Sequence, residues 1–89
     1  MNYLNRKHYG LNRRYFDYKR NPANTNYIKS LKGALTDLAL DISPRYPLYG
    51  DRYGNLGNIL DYMYDFTLSY SGSNFLTDII SAVYHKFSA

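Results

Sequence analysis

Through residues 26–42 the apolar side chains Tyr27, Ile28, Leu31, Ala34, Leu35, Leu38, Ala39 and Ile42 fall on one face at helical spacing. A strand needs strict alternation, which this segment lacks, so the pattern specifies an amphipathic helix with one side to bury. Asn24 or Thr25 supplies an N-cap, and Pro44 stops the helix by pushing Ser43 out of the helical region. A helix of this kind needs neighbours, and the chain supplies two more stripes. Leu56, Ile59, Leu60, Met63, Phe66, Thr67 and Tyr70 mark a helix over 56–70, capped by Asn55 and ended near Gly72. Leu76, Ile79, Ile80, Val83 and Phe87 mark another over 74–87, with Ser73 as its cap. No alternation runs cleanly over six residues, so strands are not expected. The predicted fold class is all-α, a small three- to four-helix bundle, with Leu35, Leu38, Ile59, Met63, Ile79 and Val83 buried together. Residues 1–21 form a basic N-terminal helix or arm, and 22–89 the helical core.

Length confines this to one small domain with a modest core, since the chain has 89 residues. The absence of cysteine excludes disulfide frameworks, thiolate metal sites and cysteine nucleophiles. His8 and His85 lie far apart without ligand spacing, so neither a metal nor a cofactor is expected. No run approaches the about 18 apolar residues of a membrane span. The N-terminal charges precede no apolar stretch, so a secretory signal is not expected. The expected location is intracellular, in the cytoplasm or within a virion or organelle. Twelve tyrosines stand against no tryptophan, and every acidic residue is aspartate, with glutamate and glutamine absent. That composition suggests a small viral, phage or organellar accessory protein.

The opening segment repeats. Leu4-Asn5-Arg6-Lys7 is answered by Leu11-Asn12-Arg13-Arg14, and more loosely by Tyr18-Lys19-Arg20-Asn21. On a helical wheel Leu4, His8, Leu11, Tyr15 and Tyr18 form a packing seam. Arg6, Arg13 and Arg20 recur on the opposite side, with Tyr9 and Phe16 beside them. Gly10 and the asparagines weaken the helix. Charge is asymmetric: residues 1–34 hold eight cations against Asp17 alone, whereas residues 35–89 hold three cations and six aspartates. Arginine forks onto phosphate and stacks on flat rings, and aromatic side chains offer sequence-tolerant platforms for bases. Arg6, Lys7, Tyr9, Arg13, Arg14, Phe16, Lys19 and Arg20 are therefore the candidate binding residues for nucleic acid or another anionic partner. The competing reading is a solvated basic face, with Tyr9 and Phe16 covering a neighbouring element.

Lys29 and Lys32 begin the helix over 26–42 and Asp37 and Asp41 end it, against the helix dipole, at about 0.3–1 kcal/mol per charge. The two lysines either extend the basic face or pair with aspartates elsewhere, the second being the preferred reading. Ser43 to Gly54 reads SPRYPLYGDRYG, an irregular stretch rich in tyrosine, glycine and proline. Arg45, Tyr46, Tyr49, Arg52 and Tyr53 make it a candidate contact loop, or else a wrapped loop whose tyrosines close over the core.

No catalytic residues are expected. Asp78, Ser81 and His85 share one flank of the last helix, but one helix surface provides neither enclosure nor an oxyanion hole. Asp61 and Asp65 stand one turn apart as a solvated pair. Gly50, Gly54 and Gly57 fit no phosphate-loop or dinucleotide pattern. Two function classes follow. One is a non-enzymatic nucleic-acid-binding protein with a packaging or accessory role. The other is a protein-interaction module, an inhibitor, adaptor or structural subunit, docking on an acidic protein surface through tyrosine and arginine. Assembly as a homo-oligomer or within a larger complex is compatible with both.

Overall fold

The computed structural model of the chain describes residues 3–46 and 55–87. Every regular element among them is helical: α1 (Tyr3–Lys7), α2 (Leu11–Arg20), α3 (Thr25–Ile42), a 3-10 turn (Ser43–Arg45), α4 (Leu56–Ser69) and α5 (Phe75–Phe87). The three stripes correspond to α3, α4 and α5, with ends displaced by a residue or so from those predicted.

Asn24 is the cap of α3. Its side-chain oxygen accepts the N–H groups of Asn26 and Tyr27 at 2.9 and 3.2 Å, relieving the open donors of the first turn. Pro44 stops α3 differently from expectation. Ser43 keeps right-handed helical angles, φ −58° and ψ −34°, and its N–H still reaches Ala39 O. The chain tightens into a 3-10 turn instead, closed by Tyr46 N–H to Ser43 O at 3.0 Å. Proline fits the first turn of such a helix because its missing N–H would have no partner there.

Two other predicted caps are corrected. Asn55 precedes α4 but does not cap it with its side chain. Its Nδ2 donates to Tyr46 O at 2.7 Å, so the residue ties the start of α4 to the end of the 3-10 turn. At α5 the cap is Asn74 rather than Ser73: Asn74 Oδ1 accepts from Thr77 N at 3.2 Å. A second cap arrives from a distant part of the chain. Asn12 Oδ1 accepts Leu76 N–H at 2.8 Å, and Asn12 Nδ2 donates to Asn74 Oδ1 at 3.0 Å. The asparagine of the Leu-Asn-Arg repeat thus joins α2 to the first turn of α5. Asn12→Ala is expected to lower stability by about 0.5–2 kcal/mol, the range for removing a cap, read from urea unfolding midpoints at unchanged slope.

The basic N-terminal segment is helical but broken. α1 and α2 are separated at His8–Gly10, where Leu11 N–H bonds His8 O and Arg14 N–H bonds Gly10 O. The predicted seam still faces inward: Leu11 and Tyr15 are buried, and Leu4 and Tyr18 pack against the core.

Helices α2 to α5 close a ring of neighbours, α2 against α3, α3 against α4, α4 against α5, and α5 back against α2. Leu35, Leu38, Ile59, Met63, Ile79 and Val83 are all buried inside it. At the α2–α4–α5 junction, Tyr15 stacks on Phe75 with ring centres 4.3 Å apart and planes 3° from parallel. The Tyr15 hydroxyl donates to Tyr70 O at 2.9 Å, so a large ring is buried without stranding its polar end. Gly33 lies within α3, where glycine costs about 1 kcal/mol relative to alanine. A Cβ built there would meet nothing within 4 Å, so core packing does not require the glycine.

Candidate nucleic-acid interface

Because Leu11 and Tyr15 turn inward, α2 presents Arg13 and Arg20 outward, and α1 presents Arg6 likewise; all three are exposed. Tyr9 in the intervening turn is 78% exposed, and Phe16 is just exposed with its ring edge on Tyr15. Arg20 Nη2 lies 2.6 Å from Asp17 Oδ1 and is thereby partly neutralised. Arg6 and Arg13 have no hydrogen-bond or ion-pair partner among the described residues. The outer surface therefore holds two arginines without an ion-pair partner among the described residues, one before and one after the exposed Tyr9 in the chain.

On the side facing α3 the same helix lines an open groove of about 880 Å³. Tyr9, Arg13 and Arg14 line it from the first two helices and their turn, and Lys29, Ser30 and Gly33 line it from α3. Arg14 Nε donates to Ser30 Oγ across it at 3.2 Å, and the guanidinium lies over Gly10, 2.5 Å from where a Cβ would stand. Asp17 and Asp37 also line the groove, so its cations outnumber its carboxylates without excluding them.

Lys29 and Lys32 pair with no aspartate among the described residues, contrary to the preferred sequence reading. Among the described residues neither forms an ion pair; Lys29 lines the groove, and Lys32 sits over the Tyr64 ring at 5.8 Å. The sequence reading offered Lys29 only as the less favoured extension of the basic face, and missed Ser30 and Gly33 as site residues. Their spacing of three and four puts them on one flank of α3, but that flank becomes part of a site only when α2 docks beside it.

One end of the groove is fixed by an ion cluster. Asp41 accepts from His8 Nε2 at 2.6 Å and lies 3.0 Å from Lys7 Nζ. Burial alone would push the Asp41 carboxyl up, but the hydrogen bonds from Lys7 and His8 outweigh it and hold the group below the usual carboxylate value. A carboxyl depressed in the folded state contributes stability above its unfolded pKa and loses it as pH falls through the folded value. Unfolding midpoints of the wild type and of Asp41→Asn should therefore differ at neutral pH and converge as pH drops below 3.8, the ordinary value. A constant difference across that range would show that the Asp41 charge does not stabilise the fold.

Lys19 leaves the outer face. Its Nζ donates to Tyr70 O at 3.0 Å and to the Tyr15 hydroxyl at 3.2 Å, a cation against the C-terminal end of α4. Tyr70 itself donates to Asp78, and burial first, then that carboxylate, push its hydroxyl up to about 12. Asp78 is thus held by a tyrosine from outside α5, while Ser81 and His85 stand exposed beside it. Asp61 and Asp65 are exposed on α4. Among the described residues no three metal-ligating side chains come together. No described helix is long and apolar enough to cross a membrane.

Of the candidate contact loop, Arg45 lies 4.9 Å over the Tyr84 ring, and Tyr46 packs against Tyr84 and Phe87. Tyr46 to this extent closes over the core. Tyr49, Arg52 and Tyr53 lie outside the described residues.

No family model, curated protein or solved structure matches the chain. Its functional reading therefore rests on this geometry and its charges alone.

Proposed function

We propose that the protein is a small, non-enzymatic helical bundle that binds nucleic acid electrostatically, with little readout of sequence. The observation that carries this is the set of exposed cations on α1, α2 and α3, Arg6, Arg13 and Lys29, which form no ion pair among the described residues, with Tyr9 exposed in the turn between α1 and α2. A protein gains little stability from such charges, whereas phosphates bound to them release condensed counterions. Affinity for mixed-sequence oligonucleotides should fall steeply as salt rises. Replacing Arg6, Arg13 and Arg20 with serine should leave the helical spectrum intact and flatten the log-affinity against log-salt slope by about 0.7–0.9 for each phosphate no longer engaged. Binding of the triple variant with an unchanged slope would sink this reading.

A second reading, a module that docks on another protein, draws on a different surface. Tyr18, Pro22, Ile28 and Leu68 border an apolar depression of about 310 Å³ between α3 and α4, and Leu68 is 75% exposed. Binding through that surface would be nearly independent of salt and would be abolished in Leu68→Asp, which separates the two readings.

A further inference from the structure

Gly33 poses a physical question. Glycine inside a helix weakens it, and here neither a positive φ nor a close neighbour calls for one, since a Cβ would point into open space. What a side chain at 33 would occupy is the groove between α2 and α3. The floor beside it is also low, since Ala34 adds only a methyl, while at Gly10 the Arg14 guanidinium takes the place a side chain would fill. Arg13 and Lys29 line the same groove without ion-pair partners among the described residues, and Arg14 spans it to Ser30.

We infer that this groove, floored by Gly33, is the seat of a single nucleic-acid strand. The inference rests on the proposed nucleic-acid reading and adds where the partner lies and of which class it is. A duplex presents its phosphates on a convex surface and reaches only the rim of a trough between two packed helices, whose axes run about 8–10 Å apart. A single strand enters it. Its backbone runs between Arg13 and Lys29, within reach of the Arg14 guanidinium, and a base turned outward meets the exposed Tyr9 ring at the lip. A cationic groove with an aromatic platform is the recurrent means of holding single strands without regard to sequence. Asp17 and Asp37 at the wall repel phosphate and so limit how far along the groove the backbone is held.

The test is steric and leaves charge untouched. Gly33→Phe fills the groove from a site where the added side chain meets no protein atom near its root, and Gly33→Ala is the control. Fluorescence anisotropy would follow a labelled single-stranded oligonucleotide and its duplex at two salt concentrations. The wild type should bind the single strand about tenfold or more tightly over the duplex, Gly33→Ala should keep that affinity, and Gly33→Phe should lose about tenfold or more of it with the helical spectrum retained. A second comparison holds if Gly33→Phe perturbs the fold. Arg13→Ala with Lys29→Ala should weaken single-strand binding more than Arg6→Ala with Arg20→Ala, an equal change of charge outside the groove. Normal single-strand binding by a folded Gly33→Phe, equal losses in the two double variants, or a preference for duplex would each overturn the groove while leaving nucleic-acid binding in place. If the wild type binds neither oligonucleotide, or prefers an acidic peptide, the underlying reading itself fails.

Discussion

Phe75→Ala is expected to lower stability by about 3–5 kcal/mol, the range for emptying a large aromatic site in a core. Phe75 has no exposed surface and stacks directly on Tyr15. It also lies edge-on to Tyr70 at 5.3 Å and tilted against Phe66 at 6.0 Å. Removing the ring therefore opens a cavity at the meeting point of α2, α4 and α5. Small domains are stable by about 5–15 kcal/mol in total, and a core of this size belongs at the low end. The variant should show a visibly lowered melting temperature and a population unfolded in mild urea. The neighbouring hydrogen bond makes the effect specific. Tyr15 donates to Tyr70 O and receives Lys19 Nζ, so a Tyr15 ring freed to tilt loses its polar anchoring as well. A loss below about 1 kcal/mol would mean that the aromatic junction is loosely packed and that the core lies elsewhere.

Charge reversal in the groove should have the largest effect on binding. With Arg13, Arg14 and Lys29 all replaced by glutamate, nucleic-acid affinity at moderate salt is expected to fall on the order of a thousandfold, because three attractions become three repulsions. Stability should change little: the three side chains are exposed, and only Arg14 makes a hydrogen bond, to Ser30. The same reversal at Lys19 or Lys32 is predicted to be much milder for binding, since those lysines face Tyr70 and Tyr64 on other flanks. Equal losses at all five positions would assign the binding to net charge rather than to a site.

Apolar periodicity alone located α3, α4 and α5, and their predicted core residues are buried together. That follows because each stripe is a local property: side chains three and four apart share a helix face whatever the helix later packs against. The same local rule explains why Leu11 and Tyr15 turn inward while Arg6 and Arg13 turn out. It could not find Asn12. The polar member of the repeat caps a helix more than sixty residues away, through bonds to Leu76 and Asn74. Nor could it separate Lys19 from Arg13, since both are cations on one short helix; the Tyr70 carbonyl places the first and an open groove the second.

Residue order was enough to dictate that this chain is helical, which side of each helix is buried, and that cations crowd its first third. It was not enough to say which of those cations stay unpaired. Helix docking brought Asp41 to Lys7 and His8, carried Lys19 to the end of α4, and left Arg13 and Lys29 lining one groove with Gly33. The difference is one of range. Helix formation and burial follow from neighbours within a turn or two, whereas an ion pair or a groove depends on residues far apart in the chain, whose meeting is fixed by how the apolar faces close.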